Sequence, residues 1–426
     1  MPCSSINHNI IQLESRQVMS TYNINLHEAI YSLSDALDLV GVTHIHHGKR
    51  VAFMAAECGK QMRWPSSQMD DLFQAAILHD CGVSKTTVHS RLAQFEWEEE
   101  QDHCKVGAGL LNTCPLLQNL VPLVRYHHTH WSDLKNMDLP LEVKLSTNCI
   151  YMVDRVDVLS LAFLVDESNL LLGRESIRQK IVSKRGDWFC PELVDAFMQV
   201  SKSEAFWLSL ENEHVSGYVS HWLGETQCSA MDFQDLRSIV HVFSYIVDAK
   251  SPFTKSHSDG VAKLGRYLGE LFELSEKSCE MLELAGLLHD IGKLRQPDEL
   301  LDKPGKLTTE EYAHIQRHSF DTYIILKGIR GLEEITKWAA QHHERVDGSG
   351  YPYHIEHEGI SLEARIVAVA DVFQALAQKR PYREAMSTEE IMDILNKMVD
   401  DGKLDGNVVQ CVAKNLQGCW QSALNV

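Results

Sequence analysis

A chain of 426 residues is longer than one ordinary hydrophobic core organises and accommodates two domains of roughly 200 residues each. Its 44% hydrophobic and 23% charged content is that of a globular protein and excludes a disordered or fibrous chain. The formal charge of −19 excludes binding of long nucleic acid through bulk electrostatics, so a phosphate ligand must be met by a local cluster of Arg, Lys or metal.

The N-terminal stretch MPCSSINHNIIQLESRQ has no basic run ahead of a long apolar one, and no window approaches a membrane span, which predicts a soluble cytoplasmic protein without membrane partners. Eleven cysteines lie scattered without a CxxC pair, an odd number that suits a reducing compartment and small buried apolar roles. Apolar residues recur at helical spacing almost throughout, as in the stripes Val261, Leu264, Leu268, Leu271 and Met281, Leu284, Ala285, Leu288. The predicted fold class is all-α.

In chain order, the first half presents His47, the pair His79-Asp80, His103, the pair His127-His128, and Asp154. Pro191 to Leu223, rich in Trp and Glu, reads as the terminal helices of this half, with packing against the second half left open. A polar stretch from Gly224 to Asp235 divides the chain into candidate domains 1–224 and 225–426. The second half then presents His257, His289-Asp290, His318, His342-His343 and Asp371. Two of its helix starts carry capping boxes, Thr308 with Glu311 and Ser387 with Glu390.

Imidazoles and carboxylates are the ligands that hold Fe, Mn or Zn, and seven of them on five helical segments can surround two ions. Any one of these histidines alone reads as a satisfied core or surface group; the ordered set with an HD and an HH doublet reads as a metal centre. Two cations roughly 3.5 to 4 Å apart lower the pKa of a water between them and neutralise phosphate oxygens during in-line attack.

The segments LLHDIGKL (287–294), HHERVDGSGYP (342–352) and VADVFQALAQKRPYR (369–383) resemble the HD-GYP family over about residues 236–415. The resemblance implies a bacterial, metal-dependent phosphodiesterase that opens a cyclic dinucleotide second messenger to a linear 5′-phosphorylated product. It implies His257, His289, Asp290, His318, His342, His343 and Asp371 as ligands of two divalent ions, Fe or Mn, with Asp290 bridging. Lys293 matches the family's lysine and would neutralise the phosphate or protonate the leaving oxygen; a solvated surface lysine is its bland alternative. Some members hold a third metal through an acidic residue one turn before the first histidine. Phe253 stands there in this chain, so two metals are implied.

The loop Asp347 to Pro352 follows the HH pair and forms one wall of the expected site mouth, with Tyr351 either contacting a base or buttressing the loop. Arg380 and Arg383, around the helix-ending Pro381, suit the second phosphate of a cyclic dinucleotide, or form a charged helix end; Arg345 is a weaker candidate.

The first half is a diverged copy. Thirty-two residues separate His47 from His79 and His257 from His289, and twenty-four separate His103 from His127 and His318 from His342. AAILHDCG (75–82) parallels AGLLHDIG (285–292), and VDRVDVL (153–159) parallels ADVFQAL (370–376). Val83 replaces Lys293, and HHTHWSD replaces the GYP loop, so this is an HD domain without GYP. Its seven candidate ligands could serve a second metal site and a phosphomonoesterase (5′-nucleotidase) activity, or remain as a sensory or dimerising relic, or be only core polar groups. The fold expected is two HD-type helical domains in tandem. The HD plus HD-GYP layout resembles the subgroup that acts on 3′,3′-cGAMP, although cyclic di-GMP is the better-known family substrate. A receptor that binds the dinucleotide without turnover is the rival reading, disfavoured by a complete ligand set. Oligomeric state stays open, a homodimer being one arrangement.

Overall fold

The computed structural model describes residues 20–40, 46–83, 102–165, 170–224, 226–250, 256–303, 305–379 and 384–424. Arg380, Arg383, Pro381 and Phe253 lie outside them. In the first half the apolar periodicity resolves into α1 (Leu26–Asp38), α2 (His47–Gln61), α3 (Ser66–Leu78), α4 (Asp102–Leu111), α5 (Val121–Tyr126) and α6 (Leu141–Val165). Four further helices follow: α7 (Leu170–Val182), α8 (Pro191–Val200), α9 (Glu204–Leu208) and α10 (Asn212–Gly224). The principal neighbours of α8, α9 and α10 are helices of the first half, with Lys60 donating to Tyr218 at 2.9 Å.

The second half runs α11 (Phe233–Asp248), α12 (His257–Leu271), α13 (Glu276–Leu288), α14 (Thr309–Leu326), α15 (Glu333–Ala340), α16 (Leu362–Ala377), α17 (Thr388–Asp400), α18 (Gly406–Lys414) and α19 (Leu416–Leu424). Both capping boxes form: the Thr308 and Ser387 hydroxyls accept from the backbone of Glu311 and Glu390, whose carboxylates return to the cap backbone. The stripes face inward, with Val261, Leu264, Leu268, Leu284, Ala285 and Leu288 buried. Leu271 and Met281 pack at the edge of the core.

The polar stretch between the halves holds an element that its composition does not announce. Ser229–Asp232 (β2) pairs antiparallel with Thr21–Ile24 (β1), Thr21 opposite Asp232 and Ile24 opposite Ser229. Ile24 and Met231 are buried, and the Tyr22 hydroxyl donates to Glu280 at 2.8 Å, which ties the start of the chain to α13. A four-residue strand is too short for a period-2 signal, and tertiary burial stabilises it instead.

The first helix of each half reaches across to the other. α1 packs on α3 of its own half and on α14, and Glu28 pairs at 2.6 Å with Arg330 in the turn that follows α14. α11 packs on α13, on α4 and on the 3₁₀ turn Pro115–Leu120, where the Ser238 hydroxyl lies 3.2 Å from Cys114 Sγ. The two candidate ligand arrays therefore sit in halves that brace each other through equivalent helices.

One buried ion pair anchors the first array. Arg50 and Asp157, both almost wholly buried, meet through Nε to Oδ1 at 2.5 Å and Nη2 to Oδ2 at 3.0 Å. A guanidinium deprived of its carboxylate in such surroundings is strongly destabilising. Asp157→Ala is expected to cost about 3–5 kcal/mol in urea unfolding of the metal-free protein. A loss below about 1 kcal/mol would show that the remaining partners of Arg50 suffice.

Candidate metal centres

In the second half, helix ends deliver the candidate ligands. His257 opens α12, His289 caps the C-terminus of α13 with Asp290 next, His318 lies within α14, His342 and His343 follow α15, and Asp371 lies in α16. The structure brings all seven together. His257 Nε2 and His289 Nε2 lie 3.2 Å and 3.9 Å from Asp371 Oδ1, and 3.7 Å and 3.2 Å from Asp290 Oδ2. On the other side, His318 Nε2 and His342 Nε2 stand 3.2 Å apart and lie 3.5 Å and 3.9 Å from Asp290 Oδ1, with His343 in the same group. The two oxygens of Asp290 thus face two separate donor groups. Separations of about 3–4 Å are those of donors sharing one ion at about 2.0–2.2 Å.

Backbone contacts aim these rings. The Nδ1–H groups of His289, His318 and His342 donate to the carbonyls of Gly286 (2.7 Å), Ile315 (2.5 Å) and Ala339 (2.6 Å), leaving each Nε2 as the inward acceptor. His257 Nδ1 donates to Gln374 Oε1 at 2.5 Å. His289 Nε2 and Asp290 Oδ1 are buried without a hydrogen-bond partner, which a buried polar atom tolerates poorly unless a cation satisfies it. The donor set therefore fits a pair of divalent ions.

Three imidazoles and both carboxylates are held in the forms that fit, whereas at His289 burial lowers the pKa but Asp290 and Asp371 outweigh it and raise the imidazole above its ordinary value. Burial holds His318 down to about 4 and keeps His342 and His343 well below the usual imidazole range. Burial opposes ionisation of Asp290, but His289 and Lys293 outweigh it and hold the carboxyl well below its ordinary value; His257 does the same for Asp371. Neutral imidazoles and ionised carboxylates are the forms that bind metal.

Lys293 lies in the 3₁₀ turn Ile291–Arg295, its Nζ 2.5 Å from Asp290 Oδ2 and its side chain partly exposed. That turn is pressed onto α14: a Cβ on Gly292 would meet the His318 carbonyl oxygen at 2.0 Å, and one on Gly82 would meet that of His103 at 2.1 Å. The glycine after each HD pair is required by this approach. Thr322 completes the fixing, donating to the His289 carbonyl at 3.0 Å and accepting from Gly292 N–H at 3.1 Å.

The 347–352 segment is a loop, as its composition predicts. Tyr351 places its ring centroid 4.8 Å from that of His343 and donates its N–H to the His343 carbonyl at 3.2 Å; burial pushes its phenol up. The buried Glu344 carboxylate accepts from the backbone of Tyr353 (2.8 Å) and Ile355 (3.0 Å), holding the loop against the HH pair. Arg345 Nη1 is buried without a hydrogen-bond partner close to this loop. Gln374, Thr322 and Glu344 escaped the sequence reading, since each is one polar residue without a motif of its own.

The first half repeats the arrangement. His47 Nε2 lies 3.2 Å from His79 Nε2 and 3.4 Å from Asp154 Oδ1, while Asp80 Oδ2 stands 3.8 Å and 3.6 Å from the same two imidazoles. Asp80 Oδ1 stands 3.5 Å from His103 Nε2 and 3.7 Å from His127 Nε2, and it too is buried without a hydrogen-bond partner. His128 Nδ1 lies 4.0 Å from Asp154 Oδ2. Five surroundings differ. Val83 stands in place of Lys293, Asp157 in place of Gln374 against the first histidine (2.7 Å), and Arg155 Nη2 holds Asp154 Oδ2 at 2.8 Å. Cys104 stands in place of Ser319. Where the other half has GYP, His130 stacks on Trp188 with centroids 4.8 Å apart.

Two stretches of the chain match the HD domain family, residues 45–160 and 241–408. Over 414 residues the chain is 37% identical to the 3′3′-cGAMP-specific phosphodiesterase 1 of Vibrio cholerae, covering 96% of both chains. With the 3′3′-cGAMP-specific phosphodiesterase 3 of the same organism it shares 28% identity across 87% of this chain and 90% of the other. A cyclic di-GMP phosphodiesterase response regulator of Xanthomonas campestris is 42% identical over 144 residues, 33% of this chain and 38% of that one. The crystal structure of the cyclic GMP-AMP phosphodiesterase V-cGAP3 of V. cholerae superposes with a TM-score of 0.63 at 24% identity, covering 93% of this chain and 98% of that one, a likeness of fold. Among the described residues no helix is long and apolar enough to cross a membrane.

Proposed function

The chain belongs to the HD-GYP cyclic dinucleotide phosphodiesterases that carry a further HD domain, and on that premise we propose that its substrate is 3′,3′-cGAMP, opened to a linear 5′-phosphorylated dinucleotide. The observation that carries hydrolysis in the second half is Asp290, whose two oxygens face two donor groups beside Lys293. The preference for 3′,3′-cGAMP is supported by the extent of likeness: the relatives so named include two that match along most of this chain, whereas the Xanthomonas cyclic di-GMP enzyme matches a third of it. We assign residues 225–426 to the phosphodiesterase domain and 1–224 to the HD domain ahead of it. Free cysteines at all ten described positions support a reducing, cytoplasmic setting.

The proposed ligands are His257, His289, Asp290, His318, His342, His343 and Asp371, and the ions Fe or Mn. Such a pair, when bound, supplies neutralisation of phosphate oxygens and a more acidic water. The protein's own part is orientation and proton supply. Asp290 fixes the spacing of the two donor groups, and the backbone-bonded imidazoles hold it. Water oxygen joins phosphorus as the bond from phosphorus to the 3′ oxygen breaks, and the departing oxygen needs one proton. Lys293, partly exposed beside Asp290, is proposed to neutralise the phosphate or give that proton. Arg345, and Tyr351 against the His343 ring, are proposed substrate contacts, joined by Arg380 and Arg383.

The N-terminal centre is proposed to remove the terminal phosphate of the linear product. The test is chromatography of products after separate incubation of Mn- or Fe-loaded protein with 3′,3′-cGAMP, cyclic di-GMP and cyclic di-AMP. Linear product forming fastest from 3′,3′-cGAMP is expected, with phosphate loss following and vanishing in Asp80→Ala while ring opening persists. Faster opening of another dinucleotide would reassign the substrate. A full product profile in Asp80→Ala would remove the second activity, and no product from any substrate by metal-loaded protein would make the site a receptor.

A further inference from the structure

The two centres are not chemically alike, and the difference lies one residue beyond the third histidine. Cys104 Sγ is buried 3.5 Å from His103 Nε2 and 3.9 Å from His127 Nε2, and those two imidazole nitrogens are 3.4 Å apart. These three atoms and a nitrogen of His128 lie within 4.8 Å of one another. Nitrogen ligands at about 2.0–2.1 Å and a thiolate at about 2.3 Å on a tetrahedral ion stand about 3.3–3.6 Å from each other. The three edges among Cys104, His103 and His127 lie within about 0.3 Å of that figure, and His128 stands within reach of the same ion.

The backbone aims this position at the centre in both halves, since Ser319 Oγ lies 3.4 Å from His318 Nε2 in the other copy. A hydroxyl there is a weak donor to a cation; a thiolate is a strong and soft one. Asp80 Oδ1, buried and without a hydrogen-bond partner, faces the same pair of imidazoles from its side.

We propose that Cys104 is a protein ligand of the ion held by His103, His127 and His128, so that the N-terminal centre is a thiolate-bearing, zinc-class site. The C-terminal centre, with Ser319 in the matching place, is left to harder ions such as Fe or Mn. The inference rests on the N-terminal donors holding metal. Its bland rival is a thiol hydrogen-bonded to an imidazole, the role Ser319 plays in the other half.

Cobalt distinguishes them without any activity assay. In the full chain carrying His289→Ala, Asp290→Ala and His342→Ala, which leaves neither three-residue donor group of the second half complete, cobalt is expected at the N-terminal centre with a near-ultraviolet thiolate-to-cobalt charge-transfer band. Adding Cys104→Ser should abolish the band and weaken zinc binding at that centre at least about tenfold, the scale on which even outer-shell changes act. As a measurement needing no variant at the cysteine, zinc-edge X-ray absorption at one zinc per chain should show a sulfur neighbour at about 2.3 Å. Bound cobalt without the band, a band that survives Cys104→Ser, or zinc with only nitrogen and oxygen neighbours would remove Cys104 from the ligand set. Natively folded protein that takes up no cobalt there would overturn the N-terminal metal site itself.

Discussion

Asp290→Ala is expected to lower turnover of the cyclic dinucleotide at least about 10³-fold, a loss of about 4 kcal/mol of transition-state stabilisation. The size follows from geometry: this carboxylate alone faces both donor groups, His257 and His289 through Oδ2 and His318 and His342 through Oδ1. Without it the remaining imidazoles form two clusters with no shared anion between them. The same substitution has a stability signature. In metal-free wild-type protein Asp290 Oδ2 pairs with Lys293 and His289 while Oδ1 is a buried acceptor with no hydrogen bond, so removal of the carboxylate changes that form by two opposing amounts and the diagnostic lies in the metal-bound form. What should vanish is stabilisation by metal. Wild-type protein gains with ion concentration as RT ln(1 + [L]/Kd), and the variant should show a smaller rise in melting temperature with Mn than the wild-type protein does. Metal content, turnover and melting temperature measured together check this. Near-normal turnover in the variant would end the dinuclear assignment.

The sequence carried the arrays because their information is local or strictly spaced. The HD and HH doublets and the paired intervals of thirty-two and twenty-four residues are visible without coordinates, and the helices deliver them to common centres. Residues that act by tertiary approach were not legible. Gln374 and Asp157 occupy matching positions after the last carboxylate and hold the first histidine of each array, but each reads as an ordinary polar residue in an apolar helix. The same holds for Thr322, which matters only because Gly292 lets the HD turn touch α14. Cys104 reads as a small core residue until His127 arrives beside it from twenty-three residues away. The strand pairing of 21–24 with 229–232 depends on burial that a polar stretch does not advertise. Repeat spacing, in short, reports which residues meet; it does not report what orients them.

Lys293→Val is the second large effect, an expected fall of about 10²- to 10⁴-fold in kcat with both ions retained. Valine is the informative replacement because the first half already carries Val83 at the matching place, beside an HD turn of the same build. The variant should therefore fold and keep its ligands. Lys293 touches Asp290 Oδ2 but is not one of the inward-facing donors, so metal content separates its role from theirs. Its two candidate roles separate in turn by kinetics. If the ammonium only attracts the phosphate, KM rises and kcat holds, the mark of binding lost equally from ground and transition states. If it protonates the departing 3′ oxygen, kcat falls and KM holds. An analogue with sulfur in the bridging 3′ position should then restore much of the variant's rate, because a thiolate leaves without protonation. Lys293→Val protein that works at wild-type rate would return this lysine to the solvated surface, and loss of metal would make it a support of Asp290 in place of a proton donor.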